Sequence, residues 1–497
     1  MTAPTTYRTP RELISGGDLS AQLDLLLVQA PLRDYSLRPR VNDFTLPCLG
    51  MAYIATAAAK AGYNTAVLDA EAFGLGVTET ADLVNNLRPR WVGMNLLAPT
   101  YQLSAAIAAD LDPEIHLMLG GHHAKALPTE ILTDPRMARC QALVIGEAET
   151  RVPQLLRDVG NRRTLPQVLW RDPILHTPVK GAGDLTHLAP DINELPFVDR
   201  RYLAQDPRVI GSRMQAAMVG ARGCPYDCSF CGAAVSANPD VTIRVRNPAN
   251  IIEEMHRLRE QFGVTSFRFV DDLFLGAKRV IETMMSPFGA EGVGEWAEWD
   301  ATGRINVLHR LGDHELDRLH ANGLREVALG IESGNPEMLE YIDKRITPEM
   351  VVSVARRLSE RGINIKGYFI FGFPNETEAQ IDQTEALVNS LWEMADQLEG
   401  TFTASAFVFR PYPGTPEWHR LMATGRYTAA QLLDYEAVDL TGNGKDELMR
   451  KRDEFNFAIP TRLSDASTEY VLGALIRVSR TQHARNRDLA DAATAGA

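Results

Sequence analysis

The sequence predicts an α/β protein. It should hold a doubly wound parallel sheet at the N-terminus, then a second series of strand–helix units, then a short helical tail. Three observations carry this. Between residues 21 and 165, short apolar runs alternate with segments of helical period, the pattern of strands buried on both faces. The alternation resumes between 211 and 430 and yields six β-α units, too few to close an eight-stranded barrel. Between them, residues 166–210 contain Pro166, Pro173, Pro178, Pro190 and Pro196 with weak periodicity and read as an interdomain linker.

In the first domain, residues 1–20 are polar and read as a loose arm. Leu23–Gln29 is a strand stopped by Ala30-Pro31, and Leu49–Ala61 a helix ended by Gly62. Thr65–Asp69 is the second strand, and the helix from Val77 to Leu87 is closed by Pro89. Trp91–Asn95 is the third strand, 102–111 a helix, Ile115–Gly120 the fourth strand and Ala142–Gly146 the fifth. A helix is expected to start at Glu147. In such a sheet ligands sit outside the carboxyl ends of the strands. Those ends carry Asp69-Ala-Glu71, Asn95–Thr100, Gly120-Gly121-His122-His123 and Gly146-Glu147-Ala-Glu149.

In the second domain, Ala216–Arg222 is a strand that leads into a cysteine-bearing loop. Asn250 caps a helix with apolar residues at Ile251, Ile252, Met255 and Leu258, ended by Gly263. The remaining strands are Ser266–Val270, Glu295–Ala301, Glu326–Ile331, Ile365–Phe371 and Phe402–Phe409. They end respectively in Asp271-Asp272, Gly303-Arg304, Glu332-Ser333, Gly372–Glu376 and Arg410–Pro416. Residues 426–480 look helical, with Leu472, Leu475, Ile476 and Val478 as one stripe, and 488–497 as a frayed end.

The chemistry concentrates in Gly223-Cys-Pro-Tyr-Asp-Cys-Ser-Phe-Cys231. Three of the five cysteines, Cys224, Cys228 and Cys231, stand here as C-x3-C-x2-C. Short spacings of this kind ligate iron–sulfur clusters. A [4Fe-4S] cluster wants four ligands and no fourth cysteine lies near, so one iron would stay open for chemistry. A three-cysteine zinc knuckle is the plainer alternative, but its fourth ligand should follow closely, and the next histidine is His256. Cys48 and Cys140 read as inert core thiols.

This loop resembles the signature of the radical S-adenosylmethionine (SAM) enzymes, with Phe230 before the last cysteine. The strand ends of the first domain resemble the cobalamin-binding domain that precedes one branch of that family. The resemblance implies a six-stranded partial (β/α)6 barrel, a [4Fe-4S] cluster, SAM, cobalamin and an electron donor such as flavodoxin or ferredoxin. It implies SAM contacts at Phe230, Asp271, Asp272, Arg304, Glu332, Ser333, Gly372 and Glu376. It implies cobalamin contacts at Asp69, Glu71, Gly120, Gly121, His122, Gly146 and Glu147. There is one departure: the axial histidine of some cobalamin proteins falls where this chain has Glu71. The plainer readings are turn-shaping glycines and histidines in a vestigial domain, helix capping by Asp272, Glu332 and Glu376, and core packing for Tyr412 and Trp418.

Cysteine counts narrow the reaction. A second cluster or a methyl-cysteine intermediate needs further cysteines, and none follows Cys231. The net charge of −13 argues against a nucleic-acid partner, leaving a small molecule as substrate. No signal peptide is expected after Met1-Thr-Ala-Pro, nor a membrane span, so the expected compartment is the reducing cytoplasm. The first expectation is cobalamin-dependent C-methylation in specialised, antibiotic-type biosynthesis. The alternatives are a radical SAM dehydratase, deoxygenase or epimerase (of an aminosugar, for example) with a vestigial cobalamin domain, and a non-enzymatic cobalamin or redox sensor. No catalytic acid or base is assigned.

Overall fold

A computed structural model describes residues 9–37, 46–181, 189–238, 243–438 and 456–495. They fall into two compact units, the first reaching Asp206 and the second beginning at Pro207.

The first unit is built on an eight-stranded sheet. In chain order its strands are β1 (Ser15–Gly16), β2 (Leu25–Gln29), β3 (Thr65–Asp69), β4 (Trp91–Asn95), β5 (His116–Gly120), β6 (Cys140–Val144), β7 (Val168–Arg171) and β8 (Pro178–Lys180). Their spatial order is β1-β3-β2-β4-β5-β6-β7-β8, and β2 to β6 are parallel. Leu25, Leu26, Val28, Val67, Leu68 and Val92 are sealed from solvent, as expected when helices cover both faces. The order reverses between β3 and β4, on either side of β2, which creates the crevice where such sheets take ligands.

Three local expectations give way to tertiary pairing. The arm expected over 1–20 contains a helix at Pro10–Leu13 and β1, which pairs antiparallel with β3; residues 1–8 lie outside the described residues. The expected linker contains β7 and β8, which extend the sheet antiparallel beyond β6. Its later part is held to this unit by Asp199 N–H, which donates to Thr56 Oγ1, and by Thr65 Oγ1, which donates to the Tyr202 hydroxyl. The helix expected at Glu147 begins instead at Val152. Arg151 explains the delay: it donates to the carbonyls of Ile145, Glu147 and Pro166 and so holds 145–151 as a turn.

The second unit carries β9 (Arg208–Ile210), β10 (Arg213–Met218), β11 (Ala221–Arg222), β12 (Arg244–Val245), β13 (Ser266–Phe269), β14 (Glu298–Gly303), β15 (Leu324–Glu332), β16 (Asn364–Phe371), β17 (Phe402–Val408), β18 (Glu436–Ala437) and β19 (Phe457–Ala458). Six of them, β10-β13-β14-β15-β16-β17, lie side by side in chain order and all run parallel, with β9 antiparallel on the outer edge of β10. Each crossover moves one strand along the sheet, so every strand end carrying a candidate residue opens toward the same rim. The sheet is curled into a half-barrel.

The strands alternate with period two. Phe267, Phe269, Trp299, Val327, Leu329, Ile365 and Phe369 join the buried core with Met255, Met284, Phe288 and Leu358 of the helices. The residues between them point to the other face. The single strand expected over 216–222 is broken at Val219-Gly220, because the Gly220 N–H turns to the Asp271 carboxylate. The third strand expected in this domain starts at Glu298 rather than 295, since Val293–Trp296 forms a helical turn.

The tail departs from the helix expected over 426–480: among the described residues that stretch holds the helix Ala429–Leu432 and the antiparallel pair β18–β19 before a long helix begins at Thr468. Its helix runs Thr468–Ala495, through most of the stretch read as frayed; residues 496–497 lie outside the described residues, as do 439–455. Leu475 and Val478 are buried, with Leu472 and Ile476 half-buried against the same core. Gln482 on this helix accepts the Ala404 N–H of the edge strand β17 at 2.7 Å and the Trp392 indole N–H at 2.8 Å. The helix therefore covers an edge that would otherwise present an unpaired backbone group. No helix among the described residues is long and apolar enough to cross a membrane.

Candidate active site

The cysteine loop leaves β11 at Gly223, which has φ +85°, a conformation glycine adopts without strain. The loop is held from inside and outside. Inside, Cys231 N–H donates to Cys228 O at 3.0 Å, Val235 N–H to Tyr226 O at 3.0 Å, and Ser236 N–H and Oγ to Asp227 Oδ1. Asn238 Nδ2 donates to the carbonyls of Gly232 and Ala234. From outside, Ser229 N–H donates to Ile342 O at 3.0 Å, and Glu417 N–H donates to Ser229 O at 2.8 Å. Glu417 is itself fully buried, its two oxygens taken by the Tyr341 hydroxyl at 2.6 Å and Arg420 Nη1 at 2.8 Å. Sequence reasoning missed Tyr341, Glu417 and Arg420, because their link to the loop spans over a hundred residues of chain.

All three loop cysteines are free thiols. Burial raises Cys224 and pushes Cys231 up to about 12. A thiol so raised ionises readily only beside a metal cation, which inverts that balance. The donors around the sulfurs suit the ionised form: Arg304 Nη1 donates to Cys228 Sγ at 3.3 Å and Ala233 N–H to Cys231 Sγ at 3.4 Å. Among the described residues no three His, Cys, Asp or Glu side chains are gathered as for a single ion. A cubane cluster spreads its ligands over separate corners, so three thiols spaced along one loop fit it better than they fit zinc.

Two cations, Arg304 and Lys344, stand beside this loop. Arg304 is buried, stacks 3.6 Å from the Tyr226 ring centroid and donates from Nη2 to Lys344 O at 2.7 Å. Its Nε is buried with no partner. Lys344, also missed in the sequence, donates to Glu332 Oε1 at 2.6 Å, and both side chains are under 10% exposed. Glu332 sits at φ +69° at a bulge in the β15–β16 pairing. A Cβ on Gly330 would come within 2.3 Å of its carboxylate, so glycine there makes room for the pair. Phe230 meets Phe373 edge-to-face at 5.6 Å and lies 5.7 Å from Lys344 Nζ. Asp272 is exposed, and its charge is felt at both Cys224 and Cys231.

Other candidates turn inward. Asp271 accepts the Gly220 N–H with both oxygens at 2.9 and 3.1 Å, and burial pushes it up to about 8. Ser333 is sealed, its hydroxyl 3.2 Å from Thr384 Oγ1 and accepting the Asn335 N–H. These two brace the rim; neither presents an open polar atom to a ligand. Glu376 accepts the N–H groups of Gly372 at 2.6 Å and Phe373 at 3.1 Å with one oxygen, while the other is buried and unpartnered. Burial pushes this carboxyl up to about 7. Gly372, at φ +85°, makes the turn possible. Trp418 packs in the core, as expected.

In the first unit the candidate residues gather at the strand carboxyl ends. Gly121 has φ +96°, and a Cβ there would meet Asn95 Oδ1 at 2.2 Å. Gly120 lies against Val144 O, and Gly146 has φ +81°. The ends of β5 and β6 thus turn through glycines that let the chain pack closely against Asn95 and Leu96, at the strand ends where such a sheet takes its ligand. This fits cobalamin. Asp69 is buried and caps the helix Ala70–Phe73, and Glu147 is half-buried. Glu71 takes the Tyr35 hydroxyl at 2.8 Å and the Leu32 N–H at 2.8 Å, so the position of an axial histidine holds an engaged carboxylate. His122 is exposed, whereas His123 is buried against Tyr101 at 4.7 Å and pushed down to about 4 by burial, a core residue.

Residues 218–388 match the Radical SAM superfamily, and residues 41–156 match the B12 binding domain. An uncharacterized methyltransferase of Pyrococcus horikoshii is 26% identical over 84% of this chain and 87% of its own. The cytidylyl-2-hydroxyethylphosphonate methyltransferase of Streptomyces wedmorensis is 24% identical over 74% of this chain and 76% of its own. Among solved structures, the radical SAM methyltransferase TsrM of Kitasatospora setae, with tryptophan substrate and a SAM analogue bound, superposes with a TM-score of 0.59. It is 18% identical, over 82% of this chain and 77% of that one, and shows the same fold. The chain belongs to the radical SAM superfamily, in the branch that carries a B12-binding domain and includes the cobalamin-dependent methyltransferases. The first domain implies cobalamin, and the second a [4Fe-4S] cluster and SAM.

Lys344→Met would leave the Glu332 carboxylate buried without its cation. It is expected to cost about 3 kcal/mol in urea unfolding of the second unit, with much of the loss recovered in the Lys344→Met/Glu332→Gln double variant. Glu376 has a folded pKa above its ordinary value, so the native state binds more protons than the unfolded one. Its contribution is present below about 4.5 and lost as pH rises through about 7. Glu376→Gln should remove this slope, on the order of 3 kcal/mol across that window in stability–pH curves.

Proposed function

We propose that this protein is a cobalamin-dependent radical SAM methyltransferase that methylates carbon in a small-molecule substrate, in specialised biosynthesis of the antibiotic type. One observation carries the reading: three free thiols on a braced loop at the carboxyl rim of the first parallel strand of a half-barrel. When bound, the cluster with SAM supplies one-electron hydrogen abstraction, and cobalamin supplies the methyl group. The chain's own residues bind and orient. Cys224, Cys228 and Cys231 hold the cluster. Arg304, held by the Tyr226 ring and Lys344 O, would take the SAM carboxylate, and the exposed Asp272 would take the SAM amino group. Glu332 and Lys344 offer a paired carboxylate and ammonium for the amino acid and ribose. Phe230 and the turn Gly372–Glu376 flank the adenine, with Asp271 and Ser333 bracing the rim behind them. In the first unit Gly120, Gly121, His122, Gly146 and Glu147 would line the cobalamin edge, while Asp69 and Glu71, engaged by their neighbours, would shape the strand end beside it.

Five free cysteines suit a reducing cytoplasm, where a flavodoxin or ferredoxin would supply the electron. The engaged Glu71 favours a second reading, a radical dehydratase, deoxygenase or epimerase whose first domain is a scaffold.

Replacing all three loop cysteines by alanine is expected to abolish iron binding and 5′-deoxyadenosine formation; SAM cleavage surviving in that variant would exclude the loop as cluster site. Protein produced anaerobically with hydroxocobalamin is expected to carry about one cobalamin per chain and to form S-adenosylhomocysteine beside 5′-deoxyadenosine. No cobalamin, with 5′-deoxyadenosine still formed, would select the second reading.

A further inference from the structure

Arg304 reaches a cysteine sulfur as well as the place proposed for SAM. It follows β14 directly and is buried. Its guanidinium is fixed by two groups other than the cysteine side chains. The Tyr226 ring centroid lies 3.6 Å away, and Lys344 O accepts from Nη2 at 2.7 Å. So held, Nη1 donates to Cys228 Sγ at 3.3 Å. Among the described residues Arg304 forms no ion pair with a carboxylate.

One turn fixes both ends of this contact. Ile342 O takes the N–H of Ser229, next to Cys228, at 3.0 Å, and Lys344 O takes Arg304. Asp343 and Arg345, on either side of Lys344, have φ +51° and +56°, a left-handed backbone that side chains adopt only at a cost. They also pair with each other, Arg345 Nε donating to Asp343 Oδ1 at 2.8 Å. The turn so wound presents one carbonyl to the loop and one to Arg304.

The other charges facing the loop are matched or screened. Lys344 is paired with Glu332, Arg345 with Asp343, and Asp227 accepts from Ser236. Asp272, whose charge is felt at Cys224 and Cys231, is exposed to water. Cys231 receives a neutral donor, the Ala233 N–H, whereas Cys228 receives a charged and buried one. A charge-assisted hydrogen bond in a low-dielectric setting is the stronger kind. An added electron makes a cluster and its thiolates more negative, so a fixed cation and an N–H donor at sulfur favour the reduced form.

We propose that Arg304 sets the reduction potential of the iron–sulfur cluster through Cys228, raising it so that a one-electron donor can reduce the cluster. The assignment rests on the cluster site proposed above. A guanidinium carries more N–H groups than the two engaged here, so the SAM carboxylate can still be met by the same side chain.

The full chain, loaded anaerobically with iron and sulfide, is reduced stepwise with titanium(III) citrate without SAM, and the reduced cluster is followed by EPR. Arg304→Gln should shift the reduction equilibrium at least about tenfold toward the oxidised cluster, which is about 59 mV for one electron. Arg304→Lys, which keeps the charge without the planar fork, should recover part of that shift. Tyr226→Leu, which keeps Arg304 but removes the ring beneath it, should shift the equilibrium about threefold, and together with Arg304→Lys it carries the test should Arg304→Gln hold no iron. Proton ENDOR of the reduced cluster in water and heavy water should show an exchangeable coupling that disappears in Arg304→Gln. Lys278→Met, at an exposed lysine paired with Glu315, should change neither readout. A wild-type potential in every variant that holds a cluster would overturn the inference; if SAM affinity alone fell, Arg304 would be a SAM ligand only. Wild-type protein that assembles no cluster would defeat the cluster site and this inference with it. A potential that follows Arg304 in a chain that never forms 5′-deoxyadenosine would defeat the proposed reaction and keep the tuning.

Discussion

The site depends on how the backbone of one residue is held. Ser229, between Cys228 and Phe230, gives its N–H to Ile342 O and receives the Glu417 N–H on its carbonyl. Two backbone hydrogen bonds from distant segments thereby set the centre of the cysteine loop. Fully buried Glu417, satisfied by Tyr341 and Arg420, makes the outer brace rigid. A buried carboxylate with both oxygens occupied has little freedom, since each lost bond would expose it uncompensated. A preorganised loop matters because reacting groups must be held to a fraction of an ångström for radical chemistry to stay on its substrate.

The same logic extends outward. Arg304 is fixed by stacking, by a carbonyl and by a sulfur; Lys344 and Glu332 are fixed by each other above a glycine. Asp271 and Ser333 take their bonds from the rim's backbone and side chains. The rim thus separates into groups whose polar atoms are all engaged and groups that keep one buried, unpartnered atom, notably Arg304 Nε and one oxygen of Glu376. The first unit relies on absence of side chains instead. Gly121 lets the turn after β5 pack onto Asn95 and Leu96, and Glu71 is occupied by Tyr35 and Leu32.

Much of this was legible in the sequence. Local hydrophobic period sets the parallel strands of both sheets, and Thr65–Asp69 and Trp91–Asn95 stand at the expected bounds. The three cysteines lie within eight residues, so their chemistry follows from spacing alone. The glycine turns carry their own conformational signal. Strand order along the half-barrel follows from short right-handed crossovers, which leave few alternatives.

What only the tertiary structure decided is long-range. That β7 and β8 belong to the first sheet, and that the tail helix covers β17 through Gln482, depends on pairing surfaces far apart in sequence. Lys344 as partner of Glu332, and Glu417 as brace of Ser229, have no local pattern, because an ion pair or a backbone clamp needs no fixed spacing. Whether a strand-end carboxylate caps, braces or faces ligand is likewise set by burial and by its neighbours' donors. Sequence determines which residues reach the rim; packing decides which of them are left with a bond to give.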